Sequence, residues 1–498
     1  MHRAVRSLAR TLALTVALAL PAGGVAQTLV IASGAQPDTL DPQATSATSA
    51  FQIAKSIYDT LVEVARDGTI QPLLAESWTV DEAGTTWTFT LNEATFHDGT
   101  PFDATDVVAS LTRIADPDVS PKADEFEAID AVVAVDARTV RLELSRPAPA
   151  LLASLASGWG AMLPSEKLEA GHDFGTDPVG TGAFRLDTWV RDGYVRLEAN
   201  PDYFAGAPAI DAAEIRFVTD AAVQAQGLLA GDFHVIADPA TADLPTLETN
   251  PDVELVREPS GTVLVTSINT RRPYLEDPRV RRALNLAVDA DTVLEVAYGG
   301  GTPTGTFMEP GSPWLPADVE PYGYDPERAR ALLDEAGVPD DLTLDMALPQ
   351  PYEVHVQAGQ IVQDMLGDVG IDVDIRVVEW GVWLGEVYGG PRDFDLTVIG
   401  HTGKLDPTGR LGGYGDPDAT YTGWDDPEAA ALLAEAAQVS DRATREALYA
   451  DVLTRLHDDP PFVYFGASNR SYAQRTDVDG FWITPLLDSF DLRSVTLD

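Results

Sequence analysis

The sequence pattern that most restricts the fold is an alternation of strand and helix patterns between residues 342 and 400. The segments LTLDMAL (342–348) and IDVDIRV (371–377) carry apolar side chains at every second position, and this period of two predicts half-buried strands. Between them, residues 358–366 repeat apolar side chains at the spacing of one helix face. We therefore predict a βαβ unit, which the strand pattern FDLTVIG (394–400) extends as a parallel sheet.

Two loops leave the carboxyl ends of these predicted strands, PQPYEVH (349–355) and HTGKLDP (401–407). In open α/β sheets, ligands bind outside the carboxyl ends of the strands. Four side chains are therefore expected on one rim of the sheet: Gln350, Tyr352, His401 and Lys404. Lys404 is the only lysine in the second half of the chain. A surface position without a function is the alternative interpretation for it.

Helix start and stop signals mark two amphipathic helices in the same half of the chain. Asp277 and Asp325 are each followed by a proline, which is the usual order of a helix cap and a first helical residue. Gly337 follows the second helix pattern as a C-terminal cap. In the first half, alternating segments such as TVRLEL (139–144) belong to a β-rich stretch of residues 49–176.

The first 26 residues have the composition of a secretory signal peptide. A start with three arginines and no acid is followed by the apolar run 11–20, and small residues precede a cleavage site after Ala26. A membrane anchor, the alternative, needs about 20 apolar residues, and Pro21 ends this run earlier. Because the chain has no cysteine, we expect neither an acylated N-terminus nor disulfides. The sequence predicts a protein secreted to the periplasm.

Length and charge exclude several classes of protein. A single hydrophobic core stops growing at about 250–300 residues, so a chain of 498 residues is expected to form more than one domain. The formal net charge of −46 opposes binding to nucleic acid or to an anionic membrane surface. No later segment is long and apolar enough to span a bilayer. We therefore expect no nucleic-acid partner and no membrane-embedded part.

Sequence motifs of catalysis are absent from the chain. It contains no G-x-S-x-G, no H-E-x-x-H and no G-x-x-x-x-G-K-[ST] motif, since Lys404 is followed by Leu405. No two of the seven histidines are four positions apart. We predict no enzymatic activity, no catalytic residue, no metal site and no cofactor. A secreted hydrolase is the less favoured alternative.

Several segments resemble one protein family. The stretch IYDTLVEVARDGTIQPLLAESWTVDEAGTTWTFTLNEATFHDGTPFDATDVVASLTRI (57–114) is similar to the signature of the family 5 extracytoplasmic solute-binding proteins, the dipeptide, oligopeptide and nickel type of ABC importer. VGTGAFRL, NPDYFAGAP, DPRVRRALNLAVD and YDPERARALLDEAG resemble further landmarks of this family, in the same order. Together these segments cover nearly the whole chain after the signal peptide.

The resemblance implies an α/β fold of the bilobed periplasmic-binding-protein (clamshell) type with an additional β-rich domain. Lobe I would be assembled from three pieces, the β-rich domain from one, and lobe II from one: 27–48, 177–268 and 467–498 for lobe I, 49–176 for the β-rich domain, and 269–466 for lobe II. Chain crossings near Ile268 and Phe465 would act as the hinge. A ligand-sensing receptor subunit with the same fold is an alternative function.

The resemblance also implies the partners. The lobes would close around a small-molecule solute that is peptide-like, opine-like or sugar-like. They would deliver it to the membrane permease subunits of an ABC transporter. A monomer is expected. None of these partners follows from composition or periodicity.

The specificity loops depart from the family pattern. In peptide-binding relatives the second loop resembles G-W-x-x-D, whose aspartate pairs with the peptide's amino terminus, and the matching residues here are Gly400, His401, Thr402, Gly403 and Lys404. The R-P-Y loop, whose arginine holds a dipeptide's carboxylate, reads Gln-Pro-Tyr at 350–352. A lysine in place of the aspartate disfavours a free amine. An oxygen-rich or anionic solute is therefore expected instead of an ordinary dipeptide.

The implied binding residues have distinct roles. Donors, a polar clamp and apolar walls are expected from the two loops and from a helix predicted from about Trp380 to Val387, between the second and third strands: Lys404, His401, Thr402, Gln350, Tyr352 and Trp380. The second loop looks shorter than in relatives, which leaves one alternative open. Asp406 could take the aspartate's role, and the protein would then bind oligopeptides.

Overall fold

The computed structural model describes residues 27–240, 242–339, 341–350, 352–402, 405–484 and 489–498. The predicted signal peptide, 1–26, lies outside the described residues. The described chain is of the mixed α/β class, as predicted. Among its helices, none combines the length and the apolar content that crossing a bilayer requires.

The strands of the described residues form one large sheet and several small ones. They are β1 (Thr28–Ser33), β2 (Val62–Val64), β3 (Ile70–Pro72), β4 (Ala75–Val80), β5 (Thr86–Leu91), β6 (Ile129–Asp136), β7 (Thr139–Leu144), β8 (Phe184–Val190), β9 (Tyr194–Ala199), β10 (Ala212–Phe217), β11 (Val235–Ile236), β12 (Val253–Ile268), β13 (Gly301–Thr302), β14 (Thr343–Pro349), β15 (Asp372–Val378), β16 (Leu396–His401), β17 (Phe462–Arg475), β18 (Val478–Asp479), β19 (Trp482–Ile483), β20 (Phe490–Asp491) and β21 (Thr496–Leu497).

The helices pack on these sheets. They are α1 (Thr48–Ile57), α2 (Ala104–Ile114), α3 (Leu151–Ala156), α4 (Ser165–Glu169), α5 (Ala221–Ala230), α6 (Leu244–Glu248), α7 (Pro278–Ala287), α8 (Ala290–Tyr298), α9 (Pro326–Ala336), α10 (Glu353–Asp368), α11 (Trp380–Val382), α12 (Thr408–Leu411), α13 (Pro427–Ala436) and α14 (Arg442–Asp458). A π-helical segment, Trp383–Tyr388, continues directly from α11.

The βαβ unit predicted from periodicity is confirmed. β14 and β15 pair in parallel on either side of α10, with Thr343 opposite Asp372. β16 lies on the other side of β14 and is also parallel to it. The predicted caps are confirmed as well, since the carboxylates of Asp277 and Asp325 accept hydrogen bonds from the first turns of α7 and α9. Gly337 ends α9 in the left-handed conformation.

One sheet runs through both lobes. Its order is β15-β14-β16-β12-β17-β11-β1-β10-β9-β8, with β13 paired to β17. The long strands β12 and β17 are antiparallel to each other, and they join the lobe II strands on one side to the lobe I strands on the other. These two strands therefore carry the connection between the lobes.

The pairing of β12 with β17 is irregular at its middle. The register shifts between Pro259 and Val263, and again between Leu264 and Val265. Phe465, one of the two predicted crossings, lies at the second irregularity, whereas Ile268 pairs regularly with Leu396. Bulges bend strands and increase their local twist. The exact lobe boundaries stay a prediction.

The buried cores separate in the same way. One core is shared by lobe I and the β-rich domain, in which Leu29 and Phe184 belong to the same cluster as Phe89 and Leu142. Two further clusters combine residues of 269–466 with the end of β12 (residues 263–268), which the predicted boundaries assign to lobe I, and they lie on opposite faces of these strands. The four-stranded antiparallel sheet β4-β5-β7-β6 forms the centre of the β-rich domain. Lobe I and the β-rich domain thus share one apolar core, and lobe II has its own.

Candidate functional site

Two cavities lie between lobe II and the rest of the protein, and both contact Leu405. The larger has a volume of about 760 Å³ and lies between residues 124–159 of the β-rich domain and residues 405–438 of lobe II. The smaller, of about 270 Å³, lies beside the crossing strands. We call them the outer chamber and the hinge chamber. Pockets for small molecules have volumes of about 300–1,000 Å³, so the two together have room for a solute.

The wall of the outer chamber is mainly apolar. The turn before α3 supplies small and cyclic side chains from Pro147 to Leu151, and Trp159 adds an aromatic ring. Several acids lie at its edge, and one of them, Glu127, forms an ion pair with Arg146 there. This chamber suits the apolar or polar-neutral part of a solute.

The hinge chamber is lined by charged residues from several elements. Glu258 of β12 pairs with Arg470 of β17 at 3.3 Å between Oε2 and Nη2. Glu309, in the loop after β13, lies 3.1 Å from Nη2 of Arg410, and the Arg410 side chain is only 1% exposed. Burial raises the pKa of Glu309, and the Arg410 guanidinium opposes that rise. Each of these acids therefore has a base beside it.

Aromatic rings form a continuous row in lobe II that begins beside the carboxyl ends of β14 and β15. Ring centroids are 5.2 Å apart for Tyr352 and Trp380, 5.1 Å for Trp380 and Trp383, and 5.9 Å for Trp383 and Tyr388. The row continues from Tyr388 to Tyr421 at 5.2 Å. Sequence reasoning placed Tyr352 and Trp380 together, and they are in contact. The row that extends them had no sequence signal.

His401 lies at the far end of this row. Its Nε2 is 2.8 Å from the Tyr421 hydroxyl, and its ring meets Phe307 edge-on at a centroid distance of 4.9 Å. Burial lowers the pKa of His401 to about 3, with a contribution from the nearby Arg410 cation. The imidazole is therefore neutral at ordinary pH. It supplies no positive charge there, and its Nε2 already has the Tyr421 hydroxyl as a partner, so its role in binding stays a prediction.

The other predicted residues of the two loops have different positions. Gln350 is exposed directly after β14, and its backbone N–H donates to the Val378 carbonyl at 2.8 Å. Thr402 is exposed, and its carbonyl accepts from Arg410 at 3.4 Å. Lys404, together with Gly403, lies outside the described residues. The role of each in binding stays a prediction.

Asp406 has its carboxylate turned into lobe II. Oδ2 and Oδ1 accept hydrogen bonds from Nη1 and Nη2 of Arg445 at 2.7 and 2.8 Å, and Oδ1 also accepts from the backbone N–H of Thr408. Arg445 donates in addition to the Tyr449 hydroxyl at 2.9 Å. A bidentate pair of this kind is strong and directional. The carboxylate that the oligopeptide alternative needs is thus held by an internal partner.

Several cleft residues escaped sequence reasoning. Glu309 lies in the loop after β13 and Arg410 in α12, and only the fold brings them together. The segment RPAPAL (146–151), which lines the outer chamber, shows a proline-rich loop in the sequence but no sign of a ligand. Among the described residues, no group of three or more His, Asp or Glu side chains could hold a metal ion.

A bilobed α/β structure with a cleft between its lobes defines a solute-binding protein. The sequence profile of bacterial extracellular solute-binding proteins, family 5 Middle, matches residues 69–431, which is more than half of the chain. The chain belongs to this family, whose members serve ABC importers of peptides and nickel. This confirms the resemblance seen in the sequence.

Curated relatives cover nearly the whole chain. The glutathione-binding protein GsiB of Salmonella paratyphi A is 30% identical over 92% of this chain and 93% of its own length. The di/tripeptide-binding protein 2 of Pseudomonas aeruginosa is 30% identical over 99% of both chains. These relatives are solute-binding proteins.

Solved structures show the same bilobed fold. HbpA2 from Haemophilus parasuis is 26% identical, with a TM-score of 0.88 over 95% of this chain and 100% of its own. AgaA from A. tumefaciens R10, in complex with agropinic acid, is 28% identical, with a TM-score of 0.69 over 95% and 99%. The unliganded open form of the murein tripeptide-binding protein MppA is 22% identical, with a TM-score of 0.87 over 95% and 98%. The periplasmic-binding-protein fold expected from the sequence is confirmed.

Proposed function

We propose that this chain is the periplasmic solute-binding subunit of an ABC importer and that its solute is a small, acidic, oxygen-rich organic compound of the peptide or opine kind. The solute is captured between lobe I and lobe II and handed to a membrane permease. The protein acts as a monomer and does not alter the solute chemically.

The observation that carries the solute class is the ion pair between Asp406 and Arg445. In the peptide-binding pattern that the sequence resembles, a loop aspartate accepts the amino terminus of the ligand. Here the loop acid is already neutralised within lobe II, and His401 is neutral. By its position in the sequence, Lys404 adds a positive charge. An ammonium group close to another one in a poorly hydrated cleft is unfavourable.

The two chambers support a solute with unlike ends. The outer chamber offers apolar walls, and the hinge chamber offers charged and polar groups. A carboxylate-bearing compound with an uncharged body matches this division. The relatives named for glutathione and the complex with agropinic acid are consistent with an acidic solute, since both compounds carry carboxylates; glutathione also carries one ammonium group, which the charge argument above disfavours.

Lobe closure is supported by the same comparisons. The TM-score is 0.87 against an unliganded open form and 0.69 against a complex with agropinic acid. Among the strands of the described residues, β12 and β17 connect the separately packed cores, and their pairing is irregular at the crossing. Hinge closure needs a few residues at element ends or irregularities to change conformation.

Calorimetric titration tests the solute class. The mature protein is titrated with glutathione and with agropinic acid, and in parallel with the dipeptide Met-Leu. Binding of an acidic compound at least tenfold tighter than Met-Leu is expected, and X-ray scattering with that compound should show compaction. Tight binding of Met-Leu with no binding of either acid would overturn the acidic solute and favour the alternative in which Asp406 receives a peptide.

Export is tested separately. The chain expressed with its own N-terminus should be recovered from the periplasm beginning at Gln27. Protein recovered in the membrane with residues 1–26 attached would contradict this part of the proposal.

A further inference from the structure

We propose that Arg66 and Trp482 together form the binding position for a carboxylate of the solute in the hinge chamber. This inference rests on the proposed function, because it assigns a place to the acidic group of that solute. Arg66 lies in the turn between β2 and β3, and Trp482 is the first residue of β19. Both line the hinge chamber.

The charges of the chamber leave Arg66 as the unmatched base. Glu258 is paired with Arg470, and Glu309 with Arg410. The remaining acid of the chamber, Asp67, is exposed and accepts the backbone N–H and the hydroxyl of Thr69 at 3.0 and 2.6 Å, within its own turn.

Within the part of the chain that the structure describes, no carboxylate oxygen lies within 4.0 Å of the Arg66 guanidinium. Its recorded neighbours are the ring of Trp482 and the hydroxyl of Tyr472. Arg191, Arg271, Arg282 and Arg330 likewise have no carboxylate oxygen within 4.0 Å among the described residues, so the lack of an ion pair does not by itself distinguish Arg66. Arg66 differs from them because it lines the hinge chamber beside Trp482, where its exposed side chain is open to an external anion.

Trp482 gives the guanidinium a fixed platform. The Arg66 Cζ lies 5.7 Å from the centre of the Trp482 ring, within the range of a cation–π contact. Trp482 is buried, and β19 holds it by pairing with β20. A guanidinium on an aromatic ring keeps its charge and its planar fork of N–H donors, which matches a carboxylate at two points.

The position in the cleft adds to this fit. Arg66 and Trp482 belong to the lobe I side, and Glu309 and Leu405 across the chamber belong to lobe II. Closure of the lobes would bring these walls together and remove water. The interaction of a carboxylate with Arg66 strengthens when water leaves, so the contact favours the closed state over the open one.

Calorimetry on variants tests the assignment. Glutathione and agropinic acid are titrated into the wild type, Arg66→Ala, Arg66→Lys and Arg191→Ala. Arg191 is the matched control, because its guanidinium also lies over a tryptophan, Trp189, at 3.4 Å but lines neither chamber. Loss of a charge-assisted hydrogen bond predicts affinity about tenfold to a hundredfold weaker in Arg66→Ala. Arg66→Lys should recover part of the lost affinity, and Arg191→Ala should bind as tightly as the wild type.

Two failures can be told apart. If an acidic compound binds Arg66→Ala as tightly as the wild type, the assignment of Arg66 is wrong and the acidic solute class stands. If neither acid binds the wild type, the proposed function fails. Crystals soaked in iodide then test the anion position beside Arg66 independently of the solute. An anomalous peak beside Arg66 and Trp482 that disappears in Arg66→Ala would support an anion position there, and the absence of a peak in the wild type would overturn it.

Discussion

Replacing Asp406 with asparagine separates the two explanations of the second loop. If Asp406 is a structural residue, the substitution leaves Arg445 as a buried charge without its carboxylate. The two side chains are 10% and 5% exposed, so solvent screens their interaction little. Breaking a buried ion pair by removing one partner costs about 3–5 kcal/mol of unfolding free energy.

The assay is urea unfolding followed by circular dichroism, together with calorimetric titration of the solute. Glu446→Gln is the control, because Glu446 lies on α14, the helix that also carries Arg445. It removes an exposed pair with Arg442 in which both side chains are 46% exposed, and such pairs contribute about 0.3–0.5 kcal/mol. A large loss of stability in Asp406→Asn with solute affinity within threefold of the wild type is expected.

The opposite result would refute this reasoning. If Asp406→Asn unfolds at the wild-type urea concentration but binds its ligand tenfold or more weakly, the carboxylate contacts the ligand directly. The protein would then be an oligopeptide binder of the alternative kind, and the proposed acidic solute would be wrong.

Three further predictions concern pH and the crossing strands. Burial raises the pKa values of Glu63 and Asp491, but neighbouring cations outweigh it and lower both, Lys55 and Arg493 for Glu63 and chiefly Arg493 for Asp491; the stability that these carboxylates contribute should be lost as the pH falls from the ordinary values of 4.5 for Glu63 and 3.8 for Asp491 toward their lowered native values, and urea unfolding should show a shallower acid slope in Glu63→Gln, whereas an equal slope would contradict this. His401 has a pKa of about 3, so NMR should detect no titration of its ring between pH 5 and 8, and a midpoint near 6 would show that the imidazole is not buried as described. Gly466 has a φ of +136°, and a Cβ there would lie 2.1 Å from the Thr302 carbonyl oxygen, whereas Gly206 has a φ of +112° with nothing within 4 Å of a Cβ. Gly466→Ala should therefore lower the free energy of unfolding by about 2–3 kcal/mol more than Gly206→Ala. Equal losses in urea unfolding would refute a close approach at the crossing.

Much of lobe II was predictable because its signals are local. The period-two segments became β14, β15 and β16, and the aspartate–proline pairs became the starts of α7 and α9. Each of these features depends on residues within a few positions of one another. The resemblance of residues 57–114 to a family signature added the bilobed fold, which no periodicity could supply.

The cleft could be predicted only in part, because it is assembled from distant segments. Tyr352 and Trp380, which the resemblance implied as apolar walls of one site, are in contact. The pairing of Asp406 with Arg445 joins residues 39 positions apart, and neither segment contains a pattern that predicts the contact. The hinge chamber brings together six separate segments, so the surroundings of Arg66 appear only in the folded chain.

The most direct test of the acidic solute is the identity of the molecule that the protein carries. Protein exported by its own cells is first purified without denaturation, so that it keeps its solute. It is then unfolded deliberately, and the released small molecules are identified by mass spectrometry. We expect a compound with at least one free carboxylate and a net negative charge, present in wild-type protein and depleted in Arg66→Ala. Recovery of a neutral or cationic peptide as the bound molecule would contradict it.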